Sequence, residues 1–267
     1  TWLQHKYAGY EASQHELKKL VEAAVERRLV SDVPLGAFLS GGIDSSIVVS
    51  CAAKHTKHLN TFSIGFKDEP YFDETYYANL VAKRYQTNHT AFKISTDEML
   101  DSIEDLLDYL DEPFADSSAI AVNILCKYTR QKATVALSGD GGDELFAGYN
   151  KHKAEWRARQ YNAVNFVLKN ATPLLKMLPA SRHGKFTNLF RQLQRYATGL
   201  HLSNEARYWR WCAFTNTAEA QQLLLEQHPY NQKIEAALAQ IIAAENDMNN
   251  MLLADVRMVL ANDMLVK

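Results

Sequence analysis

The sequence predicts an α/β protein: a doubly wound, mostly parallel sheet with helices on both faces, followed by an all-helical region. Three observations predict it. Short apolar runs suited to buried strands alternate with helical hydrophobic periods as far as Ser138. Near Lys151 the alternation stops and only helical patterns continue. Two of the strand-like runs also end in loops of one kind, Ser-Gly followed by acidic residues.

Taken in order, Leu17, Leu20, Val21, Ala24, Val25 and Leu29 recur at helical spacing, and Val33 to Leu39 is a short run of strand length. Ser46 to His55 reads as a helix, Leu59 to Phe66 as a strand, Asp73 to Gln86 as a helix and Asn88 to Ile94 as a strand. Parallel strands need crossover connections, so this βαβαβ order implies a parallel sheet covered on both faces. Ser95 and Glu98 form a capping-box pattern opening a helix to about Leu110. Ser118 to Gln131 predicts a further helix and Thr134 to Ser138 a further strand. The later helical patterns are interrupted near Pro173 and Pro179 and again at His228–Pro229. The expected domains are therefore an α/β domain over 1–150 and a helical region over 151–267.

The chain has 267 residues, 47% of them hydrophobic, enough for a substantial core. Its formal charge of −2 argues against nucleic acid as the main partner, because polyanion binding needs concentrated positive charge. No apolar run of membrane-spanning length occurs and no charged-then-apolar leader, so a cytoplasmic location without membrane association is the default. Cys51, Cys126 and Cys212 are widely spaced in helical contexts and predict buried, reduced thiols rather than a disulfide or zinc site.

The first loop, LSGGIDSS from Leu39 to Ser46, follows a strand and opens a helix. Gly41 and Gly42 let the backbone turn its N–H groups outward, Ser40, Ser45 and Ser46 add hydroxyls, and the helix aims its positive end at the same place. That describes an anion cradle. The alternative is a tight turn in which Asp44 or Ser45 merely caps the helix; the complete strand–loop–helix arrangement favours the cradle. Neither the lysine-bearing phosphate loop nor the G-x-G-x-x-G fingerprint occurs.

Asp44 would repel a polyphosphate unless a divalent cation lay between them, and Mg²⁺ takes one or two carboxylates together with phosphate oxygens. A second carboxylate comes from LSGDGGDELFAGY, Leu137 to Tyr149, with Asp143 as the candidate ligand and Asp140 and Glu144 as neighbours. Alone, Asp143 and Glu144 read equally well as acids complementing a helix dipole.

SGGIDSS looks like the pyrophosphate loop (PP-loop) of the N-type ATP pyrophosphatases. With FSIGF (Phe62 to Phe66), DEPFADSSAIA (Asp111 to Ala121) and SGDGGDELFAGY, it resembles the synthetase domain of glutamine-hydrolysing asparagine synthetases, from about Leu17 to Lys153. The resemblance implies a ligase that uses ATP as substrate and Mg²⁺ as cofactor. Aspartate attacks the α-phosphate, pyrophosphate leaves, and ammonia aminates β-aspartyl-AMP. It implies ATP and pyrophosphate binding by Ser40, Gly41, Gly42, Asp44, Ser45 and Ser46, and magnesium ligation by Asp44 and Asp143. Adenosine contacts fall to Leu39, Ile64, Ser138 and Gly139, with Phe38 as a further contributor.

Asp140 stands where the family carries a glutamate suited to positioning or deprotonating the amine, and is the implied catalytic residue. Asp116 and Ser117 lie in a substrate-side loop, although capping of the following helix explains them at least as well. The family's glutaminase domain is expected to be absent from this chain, as is the lysine-bearing loop that follows the family's counterpart of ANDMLVK, Ala261 to Lys267. Free ammonia or a glutaminase segment would then supply nitrogen; a homodimer is left open. Other readings are a related amide ligase such as a β-lactam synthetase, a pyrophosphate-loop enzyme that adenylates tRNA bases or NAD precursors, and a nucleotide-binding module without turnover.

Three further signals have plain readings. His55 and His58 predict an exposed helix end. KHKAEWRAR, Lys151 to Arg159, predicts a largely solvated face, with Lys151 or His152 able to reach phosphates. Tyr208, Trp209 and Trp211 predict helical core or interface packing.

Overall fold

The computed structural model describes residues 9–111, 116–160, 162–181, 184–213, 215, 217–223, 233–243 and 247–266. They form two compact units, one within Thr1–Asp140 and Asp263–Lys267, the other Gly141–Asn262.

The first unit runs α1 (Tyr10–Arg28), β1 (Leu35–Phe38), α2 (Ile43–His55), β2 (Asn60–Phe66), α3 (Thr75–Tyr85), β3 (Asn88–Ile94), α4 (Thr96–Asp101), α5 (Ile103–Tyr109), α6 (Ser118–Thr129) and β4 (Val135–Leu137). The four strands are parallel in the order β3-β2-β1-β4. Alternation along each strand feeds two cores. On one face Ala37 and Leu39 pack with Val25 of α1, Val49 and Ala52 of α2, and Ala78 and Ala82 of α3. On the other, Phe62 packs with Leu125 of α6 and Ala133, joined by Phe38, Ile64 and Phe92. Helices therefore cover both faces, as the α/β reading requires.

Three local expectations are corrected. The helix after the first loop starts at Ile43 rather than Ser46, because the extended Gly42 (φ −66°, ψ 166°) already serves as its N-cap. The helix predicted from Ser95 to Leu110 opens as expected, with the Glu98 N–H on Ser95 Oγ at 3.2 Å, but breaks at Ser102. Ser102 Oγ bonds the Met99 carbonyl at 2.9 Å, a side-chain bond that competes with the backbone ladder. Of the cysteines, Cys51 is buried and all three are free thiols, but Cys126 is exposed, since one helical step past Ile124 and Leu125 turns it away from the sheet.

The second unit is helical: α7 (Gly142–Phe146), α8 (Asn150–Ala158), α9 (Ala163–Asn170), α10 (Thr172–Leu175), α11 (Lys185–Gly199), α12 (Asn204–Cys212), α13 (Thr217–Gln222), α14 (Lys233–Ala243) and α15 (Met248–Ala254), continuing into a π-helical stretch, Asp255–Met264, whose last two residues belong to the first unit. Pro173 sits in the first turn of α10, where its missing N–H is harmless; residues 228–229 lie outside the described set. Tyr208, Ile242, Met251 and Ala254 form its core, and Trp209 packs on it, as expected of the aromatic cluster. The solvated reading of residues 151–159 holds for Lys153, Trp156 and Arg157. It fails for His152 and Glu155, which are 1% and 0% exposed, because these two lie one turn apart on the face of α8 turned to the interior.

Candidate active site

β1 and β4 are neighbours, yet β2 and β3 extend the sheet in the opposite direction, so chain order reverses between them. Ligands of open parallel sheets settle beyond the strand ends at such a switch point. The two loops that follow these strands are the two Ser-Gly-acid loops.

In the first, Gly41 adopts φ +84° and serine hydroxyls brace the turn. Ser40 N–H bonds Ser45 Oγ at 3.3 Å, Gly42 N–H bonds Ser40 Oγ at 3.1 Å, Ser45 Oγ donates to the Gly42 carbonyl at 3.3 Å, and the two hydroxyls lie 3.0 Å apart. These hydroxyls are thus spent inside the loop. Gly42, the N-cap of α2, has no side chain to bond the first amides of the helix. The amides of Ile43, Asp44 and Ser45 have no acceptor within the helix and point, with its dipole, out of the N-terminus. Asp44 is half-buried in that first turn and Ser46 is half-buried beside it.

The second loop comes up against the same helix end. A Cβ placed on Gly139 would lie 2.8 Å from the Ser45 nitrogen and 3.1 Å from Asp44 Cβ, so only a residue without a side chain lets the loops approach this closely. Asp140 is exposed, and its N–H reaches Ser138 Oγ at 3.4 Å. The structure thereby brings together Ser40, Gly41, Gly42, Asp44, Ser45, Ser46, Ser138, Gly139 and Asp140.

The sequence-predicted Leu39, Ile64, Asp116 and Ser117 of the first unit are engaged in other contacts or exposed. The Leu39 side chain is 1% exposed in the core and its N–H bonds the Phe62 carbonyl at 2.8 Å. Ile64 and Phe38 pack against the opposite core. Asp116 accepts from Ser118 N–H at 3.0 Å and from Ser118 Oγ at 2.7 Å, an Asx-turn just ahead of α6; Ser117 is exposed and residues 112–115 lie outside the described set. Asp143 and Glu144 belong to the second unit, in the first turn of α7. Glu144 is buried and accepts from Tyr149 Oη at 2.7 Å; burial, reinforced by that carboxylate, pushes the Tyr149 hydroxyl pKa up. Among the described residues, no group of three or more His, Cys, Asp or Glu side chains gathers into a metal cage.

Sequence reasoning missed a buried polar cluster in the second unit. Asp255, 1% exposed, accepts from Lys151 Nζ at 2.8 Å, His152 Nε2 at 2.7 Å and Tyr208 Oη at 2.8 Å. The available signal was an aspartate inside the apolar stretch LLADVRMVL. Lys151, read as a candidate for phosphates, is instead paired here.

Fold and loops together define a parallel α/β protein with a glycine-capped helix start and a glycine-lined turn at the switch point of its sheet. The chain belongs to the asparagine synthase family, whose model matches residues 16–267. It is 42% identical over 144 residues to a putative glutamine-hydrolyzing asparagine synthetase of Methanocaldococcus jannaschii, covering 53% of this chain and 28% of that protein. It is 34% identical over 176 residues to a putative glutamine-hydrolyzing asparagine synthetase of Mycobacterium tuberculosis, covering 66% and 27%. It is 30% identical over 256 residues to asparagine synthetase [glutamine-hydrolyzing] 1 of Bacillus subtilis, covering 94% and 39%. The matched region thus spans well under half of each relative's length. Among the described residues, no helix is long and apolar enough to cross a membrane.

Proposed function

We propose that this chain performs the ATP-consuming steps of asparagine synthesis, as a carbon–nitrogen ligase. The aspartate side-chain carboxylate attacks the α-phosphate of ATP, pyrophosphate leaves, and ammonia displaces AMP from β-aspartyl-AMP to give asparagine. The observation that carries this reading is the glycine-capped start of α2 with Gly139 pressed against it. Amides fixed at a helix end stabilise charge that builds on a departing pyrophosphate, and they do so without reorganising during the reaction.

Mg²⁺ takes one or two carboxylates together with phosphate oxygens, and each loop carries a carboxylate of that kind, Asp44 in the first and Asp143 in the second. Asp44 and Asp143 would hold it. When bound, it neutralises charge on the leaving pyrophosphate. The exposed Asp140 carboxylate takes a proton from the attacking amine. The remaining part of a full-length relative, named as glutamine-hydrolyzing, is the proposed source of ammonia.

The test is ATP–pyrophosphate exchange with Mg²⁺, which isolates adenylation from amination. Exchange that requires aspartate is expected. Exchange driven by another acid and not by aspartate would assign the chain to a different amide ligase, and bound ATP without any acid-dependent exchange would reduce it to a nucleotide-binding module.

A further inference from the structure

The short helix α7 ends in a turn that folds residue 148 back over residue 143. Ala147 takes the left-handed conformation at φ 58°, and the N–H groups of Ala147 and Gly148 both reach the Asp143 carbonyl, the latter at 3.0 Å. This is the closure of a Schellman motif, in which the residue after the left-handed one packs its side chain on the residue five places earlier, usually as an apolar pair. Here that pair is Gly148 and Asp143. The glycine is not where the backbone asks for one. Ala147 carries the positive φ, while Gly148 has none.

What Gly148 provides is space. A Cβ there would fall within bonding distance of Asp143 Oδ1 and 2.8 Å from its Cγ. The Asp143 carboxylate occupies the volume that a side chain at 148 would take, and the Tyr149–Glu144 hydrogen bond closes the same turn from the next residue on each side. We propose that Gly148 is a positioning residue: by its missing side chain it leaves open the one rotamer space in which Asp143 presents its carboxylate to the cation. This rests on the reading of Asp143 as a magnesium ligand.

The experiment is a double-mutant cycle on unfolding stability together with a Mg²⁺ titration. Gly148→Ala is expected to destabilise the protein when Asp143 is present and to have little effect in the Asp143→Ala background. In ATP–pyrophosphate exchange, Gly148→Ala should raise the Mg²⁺ needed for half-activation by about tenfold, as loss of a residue that orients a metal ligand does. Ala147→Gly, in the same turn but away from the carboxylate, should leave that requirement unchanged. Equal destabilisation in both backgrounds, or an unchanged Mg²⁺ requirement in folded Gly148→Ala, overturns the proposal. Should Gly148→Ala fail to fold, recovery of folding on adding Asp143→Ala supports it and failure to recover overturns it. Absence of exchange in the unmutated protein would sink the functional reading instead, and the stability cycle would still report whether residue 148 leaves that space to the carboxylate.

Discussion

Arg207 grips Glu155 with two parallel hydrogen bonds, Nε to Oε2 at 2.9 Å and Nη2 to Oε1 at 2.7 Å, in a site where both side chains are buried. Arg159 Nε adds a third bond to Glu155 Oε1 at 2.7 Å, so α8 and α12 are joined by ions rather than by apolar contact alone. Removing one partner strands the other in a low-dielectric site, whereas removing both with apolar replacements of similar size is far milder. Arg207→Ala is therefore expected to lose about 3–5 kcal/mol of unfolding stability, and a Glu155→Leu/Arg159→Met/Arg207→Met replacement of all three charges to recover much of it. Chemical denaturation checks this; a loss in Arg207→Ala of under about 1 kcal/mol, the scale of a surface pair, would contradict it.

Asp255 gives the second unit an acid-sensitive element. Burial pushes its carboxyl pKa up, but the hydrogen bond from His152, the charge and hydrogen bond of Lys151 and the Tyr208 hydroxyl outweigh burial and hold it below the ordinary 3.8. A carboxylate depressed in the folded state stabilises folding fully above its unfolded pKa and loses that contribution as pH falls through the folded value. Stability should thus be insensitive to this group above about pH 5 and fall through it below about pH 4. Asp255→Asn should be less stable at neutral pH and less steep in acid; an unchanged acid slope would show that Asp255 is not the group involved.

His89 acts in a higher window. Burial lowers its pKa below 6.5, against a smaller opposing hydrogen bond at Thr61, and its ring nitrogens lie 2.9 Å from Thr61 Oγ1 and 3.2 Å from Ser63 Oγ. The unfolded chain takes up this proton first, so acidification from about pH 6.5 down to the folded value should destabilise the first unit. His89→Gln should flatten that part of the stability profile. The same slope in wild type and variant would assign it to other groups.

At the loop junction, Gly139→Ala forces a methyl group against the Asp44–Ser45 backbone and should separate the two loops. Aspartate-dependent exchange is expected to fall by about 10²-fold, on the scale of losing a preorganised anion donor, with thermal stability changed far less. Asp44→Ala should reduce it as strongly by removing a carboxylate on the cation. Unimpaired exchange in Asp44→Ala would end the assignment of Asp44 as a ligand.

Much of the first unit was legible because local and tertiary preferences agree there. The alternating strand and helix periods, the crossover requirement and the glycine-rich loop after β1 depend on neighbours in sequence. Boundaries were less so, as at Ser102, where a hydroxyl bond to Met99 breaks a helix that apolar periodicity would continue. In the second unit, Lys151, His152 and Glu155 follow the second loop as an ordinary charged helix face, and periodicity says nothing about which charges will meet a partner.

By itself, then, the sequence determined the α/β class, the two Ser-Gly-acid loops and the family to which they point, since each rests on backbone geometry written within a few consecutive residues. The tertiary structure decided the strand order that sets the loops at one switch point, the closeness of Gly139 to Asp44 and the burial of Asp255 among Lys151, His152 and Tyr208. These depend on where distant segments pack, and packing is settled by the whole core at once rather than by the pattern of any one segment.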